Sequence, residues 1–483
     1  MVREGMNIPH HWECKTLVEC TSNKNISYGI VQPGQHDDNG IGIIRVNNFE
    51  SGGLNTSDVL KVSPSIEAKF AKTRLNGGEV LLTLVGSTGQ SAVVPSELKG
   101  WNVPRAVAVI RPSEDVSAEW INICLQSAHT KHFLDARANT TVQKTLNLKD
   151  VKDIPIPLPP VAERQRLEDI AVGLEKKITL NRQINQTLEQ MAQTLFKSWF
   201  VDFDPVIDNA LDAGNPIPDE LQHRAEARKA VRESEGFKPL PEDVRQLFPD
   251  AFEESELGWV PKGWAYQSFG SLLASTIGGD WGKDVQDEKH TVQSRIVRGT
   301  DIPDLISGQL SSAPLRWVEP KKLKSRQIER GDIIIEVSGG SPKQPTGRSI
   351  FMTDSMLERL GCIIEPASFC RRFKPNSFNI GILASLHLQK IYAGGKTWEY
   401  QNQSTGIANF QTKFFLEAEM VLIPSDTVLE AFCRIVTPLV EKSQNNEQIA
   451  LAKLRDTLLP KLISGELSLD DVEAAVVQET ESA

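Results

Sequence analysis

The fold is decided by the stretch Pro159-Pro160-Val161-Ala162-Glu163-Arg164-Gln165-Arg166 and its continuation to Trp199. Two prolines open this stretch, and no further proline occurs before Pro205. Apart from a polar gap at Asn181, large apolar residues recur in steps of three and four: Leu167, Ile170, Leu174, Ile178, Ile184, Leu188, Met191, Leu195 and Trp199. This narrow stripe predicts a single long helix whose seam forms a coiled coil.

A helix of about 40 residues is a rod of roughly 60 Å, which a single globular core cannot cover. Residues 426–463 supply a second periodic stretch, with a stripe formed by Leu429, Phe432, Val436, Leu439, Leu451, Leu454, Leu458 and Leu462. Pro438 is expected to kink or interrupt this helix, and Gly465 is expected to cap its C-terminus. We expect the two helices to lie antiparallel.

The rest of the chain contains an internal duplication. Six segments recur in the same order: Ile8–Trp12 with Val260–Trp264, Ile44–Phe49 with Val297–Ile302, Ser51–Leu54 with Ser307–Leu310, Gly78–Leu82 with Gly331–Ile335, Pro155–Pro159 with Met420–Pro424, and Leu188–Phe196 with Leu451–Leu459. The offset grows only from about 252 to about 265 residues, which chance similarity would not produce. The predicted order is therefore globule, helix, linker, globule, helix.

Composition limits the class of protein. The chain has 483 residues, 40% hydrophobic and 24% charged, which is typical of a soluble protein with several domains. No apolar run approaches the ~20 residues that span a bilayer, and no signal segment opens the chain, so we expect a cytoplasmic location. The six cysteines form no Cys-x-x-Cys pair and are expected to be free and mostly buried thiols.

The net charge of −10 is unevenly distributed. Residues 202–258 hold 15 acids and 6 bases, and residues 466–483 hold 6 acids and no bases. The remaining chain therefore carries a net charge of +5. This distribution permits DNA binding by the globules without predicting it.

Four motifs carry a resemblance to a known family. They are Pro159-Pro160-x-x-Glu163-Arg164-Gln165, the segment from Asn181 to Pro205, Ser255-Glu256-Leu257-Gly258-x-Val260-Pro261-x-Gly263-Trp264, and the segment from Leu454 to Leu467. Over nearly its whole length the chain resembles the specificity subunit of a type I restriction–modification system. One departure is the second proline-rich exit, where Ile423-Pro424-Ser425-Asp426 lacks the Pro-Pro-x-x-Glu-x-Gln pattern of the first.

The resemblance implies a function without catalysis by this chain. Each globule would be a target recognition domain that reads one half of a bipartite site in double-stranded DNA. The helices would set the spacer between the halves and dock two methyltransferase subunits, and restriction subunits with motor activity would join them. No cofactor would bind this chain. S-adenosylmethionine would lie in the methyltransferase subunits, and ATP and Mg in the restriction subunits.

The expected fold class is α+β, with two duplicated mixed α/β domains separated by two long helices in a pseudo-twofold antiparallel coiled coil. The expected domains are a first target recognition domain (1–160), a long helix (161–203), an acidic linker or insert (204–257), a second target recognition domain (258–424), a second long helix (425–466) and an acidic tail (467–483). We interpret residues 205–257 as a partly ordered surface connection.

Two glycine-containing loops follow matching strands, Gly86–Gly89 and Ser338–Gly347. Free backbone N–H groups and hydroxyls in such loops bind phosphate oxygens, although a plain glycine turn explains them equally well. Basic side chains neutralise phosphates, and Arg, Asn and Gln read bases. The candidates for DNA binding are Lys72, Arg74, Ser87, Thr88, Gln90, Arg105, Arg298, Lys321, Lys322, Lys324, Arg326, Ser338, Lys343, Gln344, Arg348, Arg371 and Arg372, with Asn102 as a further candidate for base reading.

The candidates for docking partner subunits are polar residues that lie away from the predicted seam of the first helix: Glu163, Arg164, Gln165, Arg182, Gln183, Gln186, Gln193 and Lys197. No amino-methyltransferase signature, dinucleotide-binding fingerprint or zinc spacing occurs in the sequence. Two alternatives stay open: a two-headed scaffold whose globules bind proteins, and an enzyme with an unrecognised nuclease centre.

Overall fold

The structure is a computed structural model that describes residues 8–50, 53–138, 145–309, 312–340, 344–404 and 407–470. The chain forms two compact units. Unit 1 comprises residues up to Leu180 together with those from Ala450 onward, and unit 2 comprises Asn181–Ile449. The fold is α+β, as the sequence predicts.

The N-terminal part of unit 1 begins with short strands and runs into the first half of a 40-residue helix. Its strands are β1 Glu13–Thr16, β2 Thr21–Tyr28, β3 Ile41–Ile43, β4 Phe49–Glu50, β5 Gly53–Leu54, β6 Leu60–Val62, β7 Val80–Thr83, β8 Ser91–Val93, β9 Val107–Pro112 and β10 Pro155–Leu158. Its helices are α1 Pro64–Glu67, α2 Ala118–Gln126, α3 Ala128–Asp135, α4 Leu148–Lys152 and, as far as Leu180, α5 Val161–Phe200.

Unit 2 contains the second half of α5 and most of the remaining elements. Its further helices are α6 Asp204–Ala213, α7 Gln222–Glu233, α8 Glu242–Arg245, α9 Ile302–Ile306, α10 Pro320–Arg326, α11 Asp354–Leu360, α12 Phe378–Ala393, α13 Thr412–Ala418 and α14 Asp426–Ser443. Its strands are β11 Phe252–Ser255, β12 Gly258–Pro261, β13 Ala265–Ser268, β14 Leu273–Gly278, β15 Val292–Val297, β16 Leu315–Val318, β17 Ile333–Glu336, β18 Ser338–Gly339, β19 Ser349–Phe351, β20 Ile364–Pro366, β21 Cys370–Pro375, β22 Gln401–Ser404, β23 Ile407–Phe410 and β24 Met420–Ile423. The last helix, α15 Glu447–Ser464, belongs to unit 1 from Ala450 onward.

The two units repeat one sheet topology. The main sheet has the antiparallel order β2-β9-β7-β8 in unit 1 and β14-β21-β17-β19 in unit 2. The turns before the central strands also match, because the backbone N of Asn76 donates to Glu79 at 2.8 Å and that of Glu329 donates to Asp332 at 2.7 Å. The internal duplication predicted from the sequence is therefore confirmed.

The C-terminal segment completes the core of unit 1. Leu462 and Leu469 are buried in the same cluster as Trp12 and Leu167. Gly465 has a φ of +71°, and a Cβ at this position would lie 2.2 Å from Cγ of Pro9. The prediction that Gly465 caps the second helix is confirmed, and the close approach of Pro9 is a second reason for glycine there.

The predicted seam of α5 is correct only in part. In unit 1, Leu167 and Ile178 are buried as predicted, but in unit 2 Ile184 and Met191 are 38% and 46% exposed. Trp199 is buried as predicted, but the rest of the buried face of this half carries Asn181, Asn185, Ala192 and Phe196. The helix turns its polar asparagines inward because an aromatic core that includes Phe432 of α14 covers the face carrying Trp199, with 5.5 Å between the two ring centroids.

The second long helix is interrupted at a different place from the predicted one. Pro438 lies inside α14, and the break falls at residues 444–446, between α14 and α15. The side chain of Gln444 is held by Thr353 at 2.6 Å and by the carbonyl oxygen of Phe351 at 2.9 Å. These side-chain hydrogen bonds to α11 and β19 favour a break after Ser443, which the apolar periodicity did not reveal.

The interpretation of residues 205–257 as a partly ordered surface connection is wrong. Helices α6 and α7 face each other through ion pairs, with Arg228 at 2.7 Å from Asp208 and Arg232 at 2.5 Å from Asp212. The ring of Phe248 packs against Trp199, 4.8 Å between centroids. Acids and bases of this segment thus neutralise each other while its aromatic residue enters the core of unit 2.

A buried carboxylate joins three elements of unit 2. Glu419, which precedes β24, is 1% exposed and accepts hydrogen bonds from His387 at 2.7 Å and Tyr400 at 2.5 Å, with Lys396 at 2.7 Å. Burial opposes ionisation, but these donors outweigh it and lower the pKa of Glu419 to about 2, from an ordinary value of 4.5.

This carboxylate is expected to make unit 2 acid-sensitive. A lowered pKa in the folded state stabilises the protein above the unfolded pKa, here by on the order of 3 kcal/mol, and the contribution is lost as pH falls from about 4.5 toward 2. Thermal unfolding of the wild type and Glu419→Gln should therefore differ most at pH 7 and converge in acid. A difference that does not change with pH would contradict the assignment.

Candidate nucleic-acid interface

In each unit, several loops lie together at one end of the strands of the main sheet. In unit 1, β2 and β7 end at the edge where β9 and β8 begin, since Tyr28 pairs with Ala108, Thr83 with Val107 and Leu82 with Ser91. In unit 2 the same edge is marked by the pairs Gly278–Arg371, Glu336–Cys370 and Ile335–Ser349. We call these the loop edge of unit 1 and the loop edge of unit 2.

The loop edge of unit 1 presents an arginine against an aromatic ring. The guanidinium carbon of Arg105 lies 5.8 Å from the ring centroid of Tyr28, and both side chains are exposed. The backbone N of Ile30 donates to Val103 at 2.8 Å, and that of Arg105 donates to Ile30 at 2.7 Å. This ladder fixes the positions of both side chains at the edge.

The loop Gly86–Gly89 joins β7 to β8 at the same edge. Two of its N–H groups are used internally, because Thr88 donates to Gly86 at 2.9 Å and Gly89 donates to Thr83 at 3.0 Å. The hydroxyl of Thr83 also donates to the carbonyl oxygen of Ser87 at 2.6 Å. The side chains of Ser87 and Gln90 are exposed, so hydroxyl and amide groups, more than a row of free N–H groups, are what this loop offers a ligand.

Lys72 and Arg74 lie toward the other edge of the unit 1 sheet. Arg111, near the end of β9, donates to their carbonyl oxygens at 2.8 and 2.9 Å and also pairs with Glu79, at the beginning of β7. Arg74 itself forms two hydrogen bonds to Glu67, at 2.8 and 2.5 Å, and these lower the pKa of that buried carboxyl. The structure does not bring these two candidates to the loop edge.

In unit 2 a short basic helix reaches the loop edge. Nε of Arg326, at the end of α10, donates to the carbonyl oxygen of Gly278 at 2.9 Å, and Lys322 pairs with Asp280 at 3.4 Å. Lys321 and Lys324 are exposed, and the described part of the chain places no carboxylate within 4.0 Å of either ammonium group. These two lysines are thus available to neutralise phosphates.

The second glycine-containing loop, Ser338–Gly347, begins with β18, a strand of a small three-stranded sheet. Its first residues, Ser338 and Gly339, pair with Asn409 and Ala408 of β23. The hydroxyl of Ser338 bonds to the side chain of Asn409 at 2.5 Å. Gln344 is exposed, and Lys343 lies outside the described residues.

Several candidate side chains are held inside the fold by carboxylates. Arg348 forms two hydrogen bonds to Glu336, at 2.8 and 2.5 Å. Arg298 binds Asp301 at 2.8 and 2.7 Å, and Arg372, 5% exposed, binds Asp332 at 2.8 Å. These three arginines order turns and strands, and we leave them out of the candidate interface.

Two further candidates, Asn102 and Arg371, differ in whether the side chain is available to a ligand. Asn102 is fully buried and donates to Glu67 at 3.0 Å while accepting from Thr73 at 2.8 Å, so its amide is used within unit 1. Arg371 is half-buried at the loop edge of unit 2 and donates to the hydroxyl of Thr276 at 3.2 Å. Burial lowers the pKa of Arg371. Arg371 therefore stays in the candidate interface and Asn102 does not.

Sequence reasoning missed the aromatic side chains of these edges. Trp281 follows β14, is 39% exposed, and has the guanidinium carbon of Arg316 at 4.7 Å from its ring. Phe369 precedes β21 and is 61% exposed. Aligning the two repeats could have drawn attention to them. The strand pairings place both residues in loops equivalent to those of Val31 and Ala106 in unit 1.

The exposed surface of α5 includes apolar side chains as well as the predicted polar ones. Glu163, Arg164, Gln193 and Lys197 contact neighbours within their own unit: His11 at 3.3 Å, the carbonyl oxygen of Asp115 at 2.6 Å, Gln389 at 2.5 Å, and Asp202. Gln165, Gln183 and Gln186 are exposed, and Arg182 is half-buried. In unit 2 the exposed apolar residues Ile184 and Met191, two turns apart on one face, form what we call the α5 stripe.

Other classes of site find no support in the described residues. Within 8–50, 53–138, 145–309, 312–340, 344–404 and 407–470, no three His, Cys, Asp or Glu side chains cluster in a way that would hold a metal ion. None of the helices in those ranges has the length and apolarity needed to cross a membrane. The six cysteines, all of which lie in the described residues, form no disulfide, and four of them are buried, which confirms the prediction for the thiols.

Comparison with known proteins shows which family this chain resembles. Residues 21–190 match the model of the type I restriction modification DNA specificity domain. The HindI specificity subunit of Haemophilus influenzae is 26% identical over 436 residues, covering 82% of this chain and 88% of the relative. The EcoBI specificity subunit of Escherichia coli is 28% identical over 191 residues, covering 38% and 39% of the two chains.

A more distant relative covers a similar part of the chain. The MjaIX specificity subunit of Methanocaldococcus jannaschii is 22% identical over 400 residues, covering 82% of this chain and 79% of the relative. The matched lengths include both repeats, so the likeness extends beyond a single domain. The chain is similar over most of its length to specificity subunits of type I restriction enzymes, and its residues 21–190 match the model of their DNA specificity domain.

Proposed function

We propose that this chain is the DNA-recognition subunit of a type I restriction–modification complex, and that each unit reads one half of a bipartite site through its loop edge. The observation that carries this proposal is the duplication: two units of one topology present basic, amide and aromatic side chains at the same edge of the same sheet. A single chain that reads two half-sites of DNA needs two such units.

The residues divide by role in this proposal. Lys321, Lys322 and Lys324 neutralise phosphates for unit 2, and Arg105 does so for unit 1. Ser87, Thr88, Gln90 and Gln344 offer hydroxyl and amide groups to bases or phosphates. Arg326 and Arg371 complete the basic surface of unit 2, while Ser338 supports its loop through Asn409.

The chemistry belongs to partner subunits. Two methyltransferase subunits with S-adenosylmethionine dock on this chain, and restriction subunits use ATP and Mg. The helices that join the units set the spacer between half-sites. The domain limits expected from the sequence are kept, with residues 204–257 as a helical insert of unit 2.

Removing the two unpaired lysines of α10 tests the proposal. Lys321→Ala with Lys324→Ala should weaken DNA binding by the complex with methyltransferase subunits to a similar degree for cognate and noncognate sequences. The slope of log affinity against log salt should fall by about 2, because each phosphate contact contributes roughly 0.9. Fluorescence anisotropy over a salt series measures both quantities.

A matched control is available in the same unit. Lys229 on α7 and Lys262 after β12 are also exposed, and replacing both with Ala removes the same charge away from the loop edge. If this control lowers the salt slope as much as the α10 variant does, the assignment of α10 to the interface is wrong.

The α5 stripe is proposed as part of the methyltransferase docking surface. Exposed large apolar side chains on one helix face are typical of protein contacts. Ile184→Lys with Met191→Lys should reduce recovery of the methyltransferase subunit with this chain at least tenfold in co-purification, with little change in helix propensity.

The polar residues of α5 that the sequence predicts for docking provide the comparison for this test. Gln186 is exposed on a different face of α5, so Gln186→Lys should leave recovery unchanged if docking uses the stripe. Loss of recovery with Gln186→Lys and normal recovery with the stripe variant would assign docking to the polar face instead.

A further inference from the structure

The loop edge of unit 2 exposes two large aromatic side chains, Trp281 and Phe369. Phe369 is 61% exposed and Trp281 is 39% exposed. Such side chains are costly to leave in water, since full burial of one is favourable by about 1.5–3 kcal/mol. An edge that carries two of them is a candidate surface for binding a ligand.

The backbone brings the two loops together. The backbone N of Gly279 donates to Cys370 at 3.0 Å, and that of Asp280 donates to Pro366 at 3.0 Å. A Cβ on Gly279 would lie 2.0 Å from the carbonyl oxygen of Pro366, so glycine is required for this approach. Trp281 and Phe369 therefore project from neighbouring strands of one tightly packed corner.

The tryptophan is held in a fixed orientation. Arg316 lies over its ring at 4.7 Å and is itself bound by Asp284, so one face of the indole is covered while part of the ring stays in solvent. The backbone N of Trp281 also donates to the side chain of Asp280 at 2.8 Å. A ring fixed in this way loses little conformational entropy on binding.

The comparison with unit 1 shows that this pair is specific to unit 2. Ile26 and Thr276 occupy equivalent ladder positions, opposite Ile110 and Phe373, and counting onward aligns Trp281 with Val31. The backbone N of Leu84 donates to Ala106 as that of Val337 donates to Phe369, which aligns those two acceptors. Unit 1 thus has Val31 and Ala106 where unit 2 has two aromatic rings.

We propose that Phe369 and Trp281 form an aromatic wedge that contacts and unstacks bases of the half-site read by unit 2, which makes that half-site selective for deformable steps. This inference rests on the proposed function. Apolar side chains placed between base steps partly unstack and kink the duplex, and pyrimidine–purine steps yield most easily. Unit 1, with small residues at both positions, reads its half-site without such a wedge.

The test uses the complete complex with methyltransferase subunits and duplexes that carry 2-aminopurine in one or the other half-site, at a base other than the adenine that a methyltransferase subunit would flip out of the stack. Phe369→Ala and Trp281→Ala are compared with Phe414→Ala. Phe414 is 50% exposed on α13, which packs on the turn at the beginning of β14, away from the loop edge. Phe369 and Phe414 are both exposed, but the Phe414 ring also lies 5.8 Å from that of the buried Tyr400, so thermal unfolding of each variant is measured beside its binding.

For the wild type we expect a rise in 2-aminopurine fluorescence in the half-site of unit 2 alone. Phe369→Ala should abolish this rise and weaken cognate binding about tenfold, within the range measured for stacking on a single aromatic residue, and Phe414→Ala should do neither. Trp281→Ala should show a partial loss of both.

No rise for the wild type, or unchanged binding and fluorescence with Phe369→Ala, overturns the wedge. The proposed function is tested separately in the same experiment, since it requires the wild type to prefer the cognate over a scrambled duplex. A wild-type complex with that preference but without unstacking would refute the wedge and leave the recognition function intact.

Discussion

Exchanging residues 13–158 for the corresponding segment of another specificity subunit is expected to change one half of the methylated DNA motif completely and leave the other half unchanged. The segment begins in β1 and ends in β10, which pair with each other from Glu13–Leu158 to Thr16–Pro155. A transplant with both strands brings its own ladder, so no hydrogen bond of that pair spans the junction.

The exchange also keeps the contacts that tie unit 1 to the C-terminal segment. Pro9, Trp12 and Leu167 stay native and retain their packing against Gly465 and Leu462. Methylation mapping of cells with the chimera reads both half-sites at once. A chimera that changes both halves, or neither, would show that the units do not read independently.

Lengthening α5 by one turn is expected to change the spacing of the half-sites without changing either sequence. Four residues add about 6 Å to a helix, and one base pair occupies 3.4 Å, so the spacer should grow by one or two base pairs. The insertion point is the exposed surface near Arg182 and Gln183, where the boundary between the units falls.

The break between α14 and α15 provides the matching position for this experiment. A second insertion at residues 444–446 lengthens the other connection between the units without interrupting a helix. Methylation mapping again gives the result. A changed half-site, or an unchanged spacer in an active complex, would contradict the role of the helices in spacing.

Some features of the fold follow directly from local sequence. Gly465 ends the second helix because a left-handed residue is needed there, and the order of the six repeated segments requires a duplicated fold. The helical insert could also have been predicted from the sequence. Asp204, Asp208 and Asp212 recur every four residues, as do Arg224, Arg228 and Arg232. That pattern predicts two facing helices.

Other features depend on partners distant in sequence. Arg348 and Arg372 look like phosphate ligands in a sequence, yet each binds an acid on a neighbouring strand or turn. Ile184 and Met191 match a seam by spacing, but the aromatic core at Trp199 sets the rotation of α5 and leaves them outside. Side-chain function here is decided by tertiary contacts that periodicity does not encode.

The central claim is that this chain supplies the sequence specificity of a DNA methyltransferase. The most direct measurement is genome-wide mapping of methylated adenines in cells with the cognate methyltransferase subunit, with and without this chain. We expect a split motif, two short defined halves around an undefined spacer, only when the chain is present. An identical methylation pattern in both strains, with the complex assembled, would contradict the account.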